Sequence, residues 1–345
     1  SGNKASYGGA ISLWQGEAAL TGVTLQANAA YLDGGGVFAQ EGKITLRTSQ
    51  LVGNTCDRNG GGLYVAAAGS VEASGTHLVG GSSDGSGAGA YVAGQLVFEG
   101  GNIADNVTSD ATSFGGGVFN DGGRVTLRRA AIVRNTAADG GGIANRGALQ
   151  AENVTLSGNR ATRGAGLRNA AGGTTLVNVT IADNALEVRV VEPTETPEPT
   201  DAPEPTEDPA PAGAAGPAIA PSNLARDRSR ARPHGVQQDP GGAGGAIHNS
   251  EGIVRLHHTV LGPSIDVGSC SGRLTSDGYN LDAGTTCGLA GTGDRSGGDL
   301  RLSTLVESGG TWIHGLVKSS PALDGGNPAG CRGLDGAVLA VDQRG

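Results

Sequence analysis

No stretch of this 345-residue chain approaches 18 consecutive apolar residues, so no helical membrane span is expected. Basic residues are the minority: 24 Lys and Arg against 33 Asp and Glu give a net charge of −9 and a pI near 5.1. With no basic groove to offset phosphate repulsion, nucleic acid is not expected as a partner. Helical periodicity is missing too. No window of a dozen residues sustains it, and 64 glycines would cost heavily inside helices. Only four cysteines occur, without a Cys-x-x-Cys spacing or a His partner at ligand distance, which speaks against a zinc site. No signal peptide is expected in the first residues. Ser1 lies seven residues before the first repeat, so a processed or trimmed chain is expected.

What the chain does have is recurrence. A glycine cluster followed by an apolar anchor returns at Ile11, Val37, Leu63, Ala90, Val118, Ile143, Leu167 and Ile247, in steps of 26, 26, 27, 28, 25, 24 and then 80 residues. A fixed short period is the mark of a solenoid. Within one unit, Val118-Phe119-Asn120, Val125-Thr126-Leu127 and Ala131-Ile132-Val133 are short runs of period 2, bounded by Gly and Asn, and read as three strands per coil. The leucine-rich pattern is lacking, and a propeller blade needs about 40 to 50 residues. The expected fold is therefore all-β: a right-handed parallel β-helix of about eight glycine-marked coils with a loop-rich C-terminal region. One elongated domain is compatible with this length, because a solenoid grows without a thicker core.

Residues 1–185 are expected to form the coils, 186–240 a disordered insertion, 241–262 a continuation of the coils, and 263–345 a distinct C-terminal region. The insertion is marked by composition. Eleven of 14 prolines fall between Pro193 and Pro240, first among Glu and Thr and then among Arg226, Arg228, Arg230 and Arg232. It reads as a solvated spacer, with an O-glycosylated tether and a protease-sensitive loop as the sharper readings.

The third strands end on Asn28, Asn54, Asn106, Asn135, Asn159 and Asn184, with Gly81 at the intervening rung. Stacked coils place these amides about 4.8 Å apart, where each can donate to one neighbour and accept from the other. A structural ladder is expected, with a second column at Asn120, Asn145, Asn169 and Asn249. The Asn-Val-Thr sequons at Asn106, Asn153 and Asn178 are read as pattern rather than glycosylation. Cys270 and Cys287, enclosing 16 residues of a Gly, Ser and Asp rich stretch, are expected to form a disulfide. Cys56 and Cys331 have no obvious partner.

Many β-helices act on polysaccharides, so carboxylates were aligned by rung. A lyase needs a Ca²⁺-binding acidic set with a basic residue nearby, and a hydrolase needs paired acids on one face. Glu72, Glu99 and Glu152 are expected on or beside the second strands with Leu46, Leu127 and Val177 as their neighbours, and Asp105 and Asp183 stand where other rungs have Ala27, Gly53, Gly80, Arg134 and Gly158. No adjacent pair results. Asp33, Asp57, Asp84, Asp110 and Asp139 recur in the turn before the glycine cluster, where Asp caps its own backbone; a Ca²⁺ stripe is their alternative use. Asp294 and Asp299 are candidate metal ligands in the same sense. His257 and His258 are adjacent and are expected on opposite faces of a strand.

One column is aromatic. With Val37, Leu63, Ala90 and Val118 facing inward, Phe38, Tyr64, Tyr91 and Phe119 face outward on four consecutive rungs and make a stripe roughly 15 Å long. Mutual stacking under an overlying loop is one reading. The other is a docking surface for a glycan or a neighbouring subunit.

After Leu261 the glycine period stops. Ser276-Asp277-Gly278-Tyr279-Asn280-Leu281, Cys287-Gly288-Leu289, Gly309-Gly310-Thr311, Ser319 to Gly326 and Asp342-Gln343-Arg344-Gly345 resemble the C-terminal region of bacterial choice-of-anchor Q proteins. The Gly-Gly-x-Ile and Asn pattern is similar to their repeats, to polymorphic outer-membrane-protein repeats and to pectate-lyase-like β-helices. Two departures stand out: the chain stops at Gly345, where the family continues into a Cys-Asp-Ile-Gly-Ala-like segment, and Cys331 would have its partner there. The resemblance implies an extracellular or cell-surface bacterial protein with a variable anchor. Combined with the missing acid pair, it gives a non-catalytic adhesive or structural role, with extracellular glycan or self-association as the partner. A polysaccharide lyase or hydrolase and a self-assembling extracellular filament subunit are the rivals. An uncapped first rung exposes edge hydrogen-bonding groups, and coverage by upstream residues or another subunit is expected there.

Overall fold

The computed structural model describes residues 1–187, 244–265 and 268–345. The expected insertion, 186–240, lies outside the described residues except for Leu186 and Glu187. Each coil lays one strand on each of three parallel sheets, and most coils add a short fourth strand beyond the third. The first and second sheets have nine strands each, the third has ten, and all are ordered by coil. Neighbours pair in parallel with no slip: Val37, Leu63, Ala90, Val118, Ile143, Leu167 and Ile247 are successive partners. All seven are fully buried.

The period-2 runs explain the second sheet. In Lys43–Arg47, Ser70–Ser74 and Arg124–Arg128 the second and fourth residues are buried and the others face out. Stacking aligned coils turns these inward residues into columns, and one continuous core runs through the coils. Phe98, between Ala73 and Leu127 in register, is the one large ring inside this core among the described residues.

Corners come from left-handed residues. The first glycine of each of the seven clusters from Gly8 to Gly164 has positive φ, as at Gly115 (63°) and Gly140 (64°). So do the residues before the ladder Asn: Ala27, Gly53, Gly80, Asp105, Arg134, Gly158 and Asp183. Asp105 and Asp183 therefore occupy a corner column rather than a catalytic one. A third corner, between second and third strands, uses Thr48, Gly75, Arg129, Asn153, Asn178 and His258. The other glycines of the cluster serve close approach. A Cβ on Gly117 would lie 2.6 Å from the Gly142 carbonyl and 3.0 Å from Asn135 Nδ2.

Both amide ladders form. Asn135 Oδ1 accepts from Asn106 N (3.0 Å) and Nδ2 (2.8 Å), while its own Nδ2 reaches back to Ile103 O (2.9 Å) and on to Asn159 Oδ1 (3.1 Å). Asn28, Asn54, Asn159 and Asn184 repeat the pattern. Asn3 extends it by one rung, and Gly81 keeps only the backbone half, donating its N–H to Asn106 Oδ1 at 2.8 Å. In the second column Asn120, Asn145, Asn169 and Asn249 are joined at 2.7, 2.8 and 2.9 Å. Asn106 is fully buried in its ladder, and Asn153 and Asn178 stand at left-handed corners.

The glycine period ends at Leu261, but the sheets do not. Cys270–Ser271, Thr275–Ser276, Leu281–Asp282 and Arg295–Ser296 each add a shorter strand. The expected disulfide joins Cys270 and Cys287 with Cα atoms 4.8 Å apart. The C-terminal region also holds an antiparallel hairpin, Leu302–Ser308 with Thr311–Leu316. Gly309 and Gly310, both with positive φ, form its two-residue turn. Leu305 and Trp312 from this hairpin cover Val79, Ala104, Ala131 and Val133 on the outer face of the third sheet. Gln343 fastens it there: its Nε2 donates to Ala130 O, Thr311 Oγ1 and Trp312 O, and its Oε1 accepts from Thr155 Oγ1 at 2.7 Å.

Candidate functional site

Phe38, Tyr64, Tyr91 and Phe119 stand in register on four adjacent strands of the first sheet and face outward. Their ring centroids are 5.3, 4.8 and 5.4 Å apart; the first two pairs are stacked and the last is edge-on. The ladder is longer than the register alone indicates. Tyr7 and Trp14 pack on Phe38 at 4.8 and 5.5 Å, and Phe114 stacks on Phe119 at 5.4 Å. Tyr7 and Phe114 each precede the first glycine of their cluster, and Trp14 sits in the turn after the first strand. Aligning the residue before the cluster was the signal that could have found two of them. Seven of the chain's eleven aromatic residues thus lie on one flank.

Stacking consumes most ring faces. Phe38 and Phe119 are 3% exposed, Tyr64 and Tyr91 are partly buried, and Trp14 at the N-terminal end is 55% exposed. Polar columns border the stripe. Asp33 Oδ1 accepts from Asn59 N at 3.1 Å, Asn59 Oδ1 from Ser86 N at 2.9 Å, and Ser86 Oγ from Phe114 N at 3.0 Å. Opposite them, Tyr91 donates its hydroxyl to Asp121 at 2.5 Å. Burial, with that hydrogen bond and the Asp121 charge, pushes the Tyr91 pKa up, so the phenol keeps its proton. Tyr64 is raised too, through burial and then Asp33.

The acids distribute singly. Glu72 accepts from Lys43 at 2.7 Å, Glu99 from Arg129, Asp105 from Arg134 at 2.8 and 2.9 Å, and Glu152 from Leu334 N at 2.7 Å. Of the turn acids, Asp110 caps Thr112 N at 2.6 Å, Asp84 accepts from Ser109 Oγ, Asp139 from Arg163, and Asp57 is exposed. Asp294 accepts four donors, from Asn280 N, Asn280 Nδ2, Ser276 Oγ and Gly291 N, and continues the column of Thr259 and Asn280 at the end of the stack. Asp299 caps Arg301 N at 2.8 Å with its side chain 81% exposed. Among the described residues no group of three or more His, Cys, Asp or Glu side chains converges.

His257 and His258 depart from expectation. Their rings stack at 4.0 Å, because His258 has φ of 49° and the left-handed corner breaks strand alternation. Burial, and then the neighbouring His257, push the His258 pKa down to about 4, and neither ring nitrogen has a hydrogen-bond partner. Cys56 and Cys331 are unpaired. Burial pushes the Cys56 thiol up to about 12, which leaves it protonated and unreactive. A shallow groove of about 690 Å³ follows the corner between the first and second sheets, floored by Gly69, Gly94, Gly123, Gly147 and Gly172.

Fold and flank together define a parallel β-solenoid carrying an external aromatic ladder. The chain matches no family model, no curated protein and no solved structure.

Proposed function

We propose that this is a secreted or cell-surface bacterial β-solenoid of the choice-of-anchor Q type with a non-catalytic adhesive or structural role, and that its first-sheet flank docks an extracellular glycan. The gathering of seven of eleven aromatic residues on that flank carries the reading. A core column would explain inward rings; these face outward, beside Asp33, Asn59 and Asp121, where ring edges and polar groups meet sugar hydroxyls. The engagement of Glu72, Glu99, Asp105, Asp139 and Glu152 by separate cations or backbone N–H groups supports binding without bond cleavage. The test is a binding and turnover screen of the purified chain against neutral and acidic polysaccharides, with and without Ca²⁺. Expected are retention of polymer without new reducing or unsaturated ends, and loss of retention in Trp14→Ala with Tyr64→Ala. Turnover refutes the reading in favour of a lyase or hydrolase, and ordered fibres in electron microscopy with no polymer binding refute it in favour of a filament subunit.

A further inference from the structure

Past the aromatic ladder the outward column of the first sheet changes character: Phe119 is followed in register by Ala144, Arg168 and His248. Arg168 is 8% exposed, and its Nε and Nη1 have no hydrogen-bond partner. The nearest acid is already engaged. Asp139 accepts from Arg163 Nε at 2.8 Å and Nη2 at 2.6 Å, and it lies 3.9 Å from Arg168 Nε, beyond hydrogen-bond reach. A guanidinium stays charged at neutral pH, and its planar fork matches the oxygens of a carboxylate or sulfate. An idle buried donor on a charged group is costly, so a ligand that supplies the acceptors is favoured by removing that cost.

The surroundings add a sugar-sized wall. Arg146 lies over the rings of Phe114 and Phe119, 4.3 and 5.1 Å from their centroids, and is held by Asp121 at 3.5 Å. We infer that Arg168 anchors a subsite for an anionic sugar at the C-terminal end of the aromatic stripe, the acid group on its fork and the ring along the Phe119 and Arg146 side. This inference rests on the glycan-docking reading above and adds the charge class of the ligand.

The test measures binding of the full chain to polygalacturonate, dextran sulfate and neutral dextran by calorimetry, for wild type, Arg168→Gln and Arg168→Lys. Tighter binding of one charged polymer than of dextran is expected, at least tenfold weakened in Arg168→Gln and only partly restored in Arg168→Lys, where charge remains but the fork is lost. Which charged polymer binds tells carboxylate from sulfate. Charged and neutral polymers bound alike, with Arg168→Gln unchanged, would overturn the subsite and leave glycan docking standing. Binding of none of the three overturns both. Should Arg168→Gln lose its β circular dichroism, the salt dependence of wild-type binding decides: affinity for the charged polymer should fall steeply with NaCl, and a flat response overturns the subsite.

Discussion

Coils up to Leu186 and rungs after Gly244 use the same three sheets but are joined differently. In the first region every coil except that of Gly81 adds an Asn to a fully buried amide column, and strand lengths repeat without change. In the second, after one rung with full-length strands at Ile247–Asn249 and Ile253–His257, the stacked strands shrink to two residues, a disulfide closes one loop, Asp294 ends a side-chain column, and a hairpin lies on the flank of earlier coils. Regularity lets one small polar group stabilise every interface by the same geometry. Where the repeat fades, the chain relies on covalent and long-range contacts that each occur once.

The sharpest way to break this contrast is Asn135→Ala. It leaves Asn106 N–H, Asn106 Nδ2 and Ile103 O without their buried partner. At about 1–3 kcal/mol per orphaned group, a loss of about 4 kcal/mol is expected in urea unfolding. A loss under about 1 kcal/mol would mean that the ladder follows the packing rather than securing it. Reduction of Cys270–Cys287, or its double Ser variant, is expected to cost about 3 kcal/mol. Hydrogen exchange should then quicken in 244–296 and stay unchanged in the amide-laddered coils; spreading of the change to Asn28 or Asn54 would erase the distinction between the regions.

Trp312→Ala should cost about 2 kcal/mol, less than a fully buried Trp because the ring is partly exposed, and should speed proteolysis of the hairpin. Cleavage within the coils first would contradict the flank-packed arrangement. The smallest effect expected is a change in slope. His258 is held near a pKa of about 4 against 6.5 unfolded, so between those values the unfolded chain binds the proton more readily. The contribution is fully present above pH 6.5 and is lost as pH falls toward 4. His258→Asn, which matches Asn153 and Asn178 at the same corner, should flatten the melting temperature over that window. An unchanged slope would show that His258 is not the titrating element.

The glycine period, the inward anchors, both Asn columns and the disulfide were legible, because each follows from a residue recurring at one register or from a local spacing. What escaped is what breaks period 2. Left-handed Arg129, Asn153 and His258 are unremarkable in sequence, yet they turn the strand and put His257 and His258 on the same side. The outward column itself was legible. Its extension by Tyr7, Trp14 and Phe114 was not, since those rings come from other repeat positions and meet it only through folding. Contacts such as Ser157 Oγ with His314 Nε2 at 2.8 Å span 157 residues and follow no period. The isolation of Arg168 depends on Asp139 pairing with Arg163, a choice between two arginines that spacing cannot make.

The hydrogen bond from Asn169 Nδ2 to Asn249 Oδ1 joins residues 80 apart at 2.9 Å, close to the 2.7 and 2.8 Å of the preceding links, and Leu167 meets Ile247 in unbroken register. The solenoid thus treats residues 187 and 244 as a seam. Both the strand register and the amide column cross it as they cross an ordinary coil boundary. It is the position at which such a fold can gain a new part without being rebuilt.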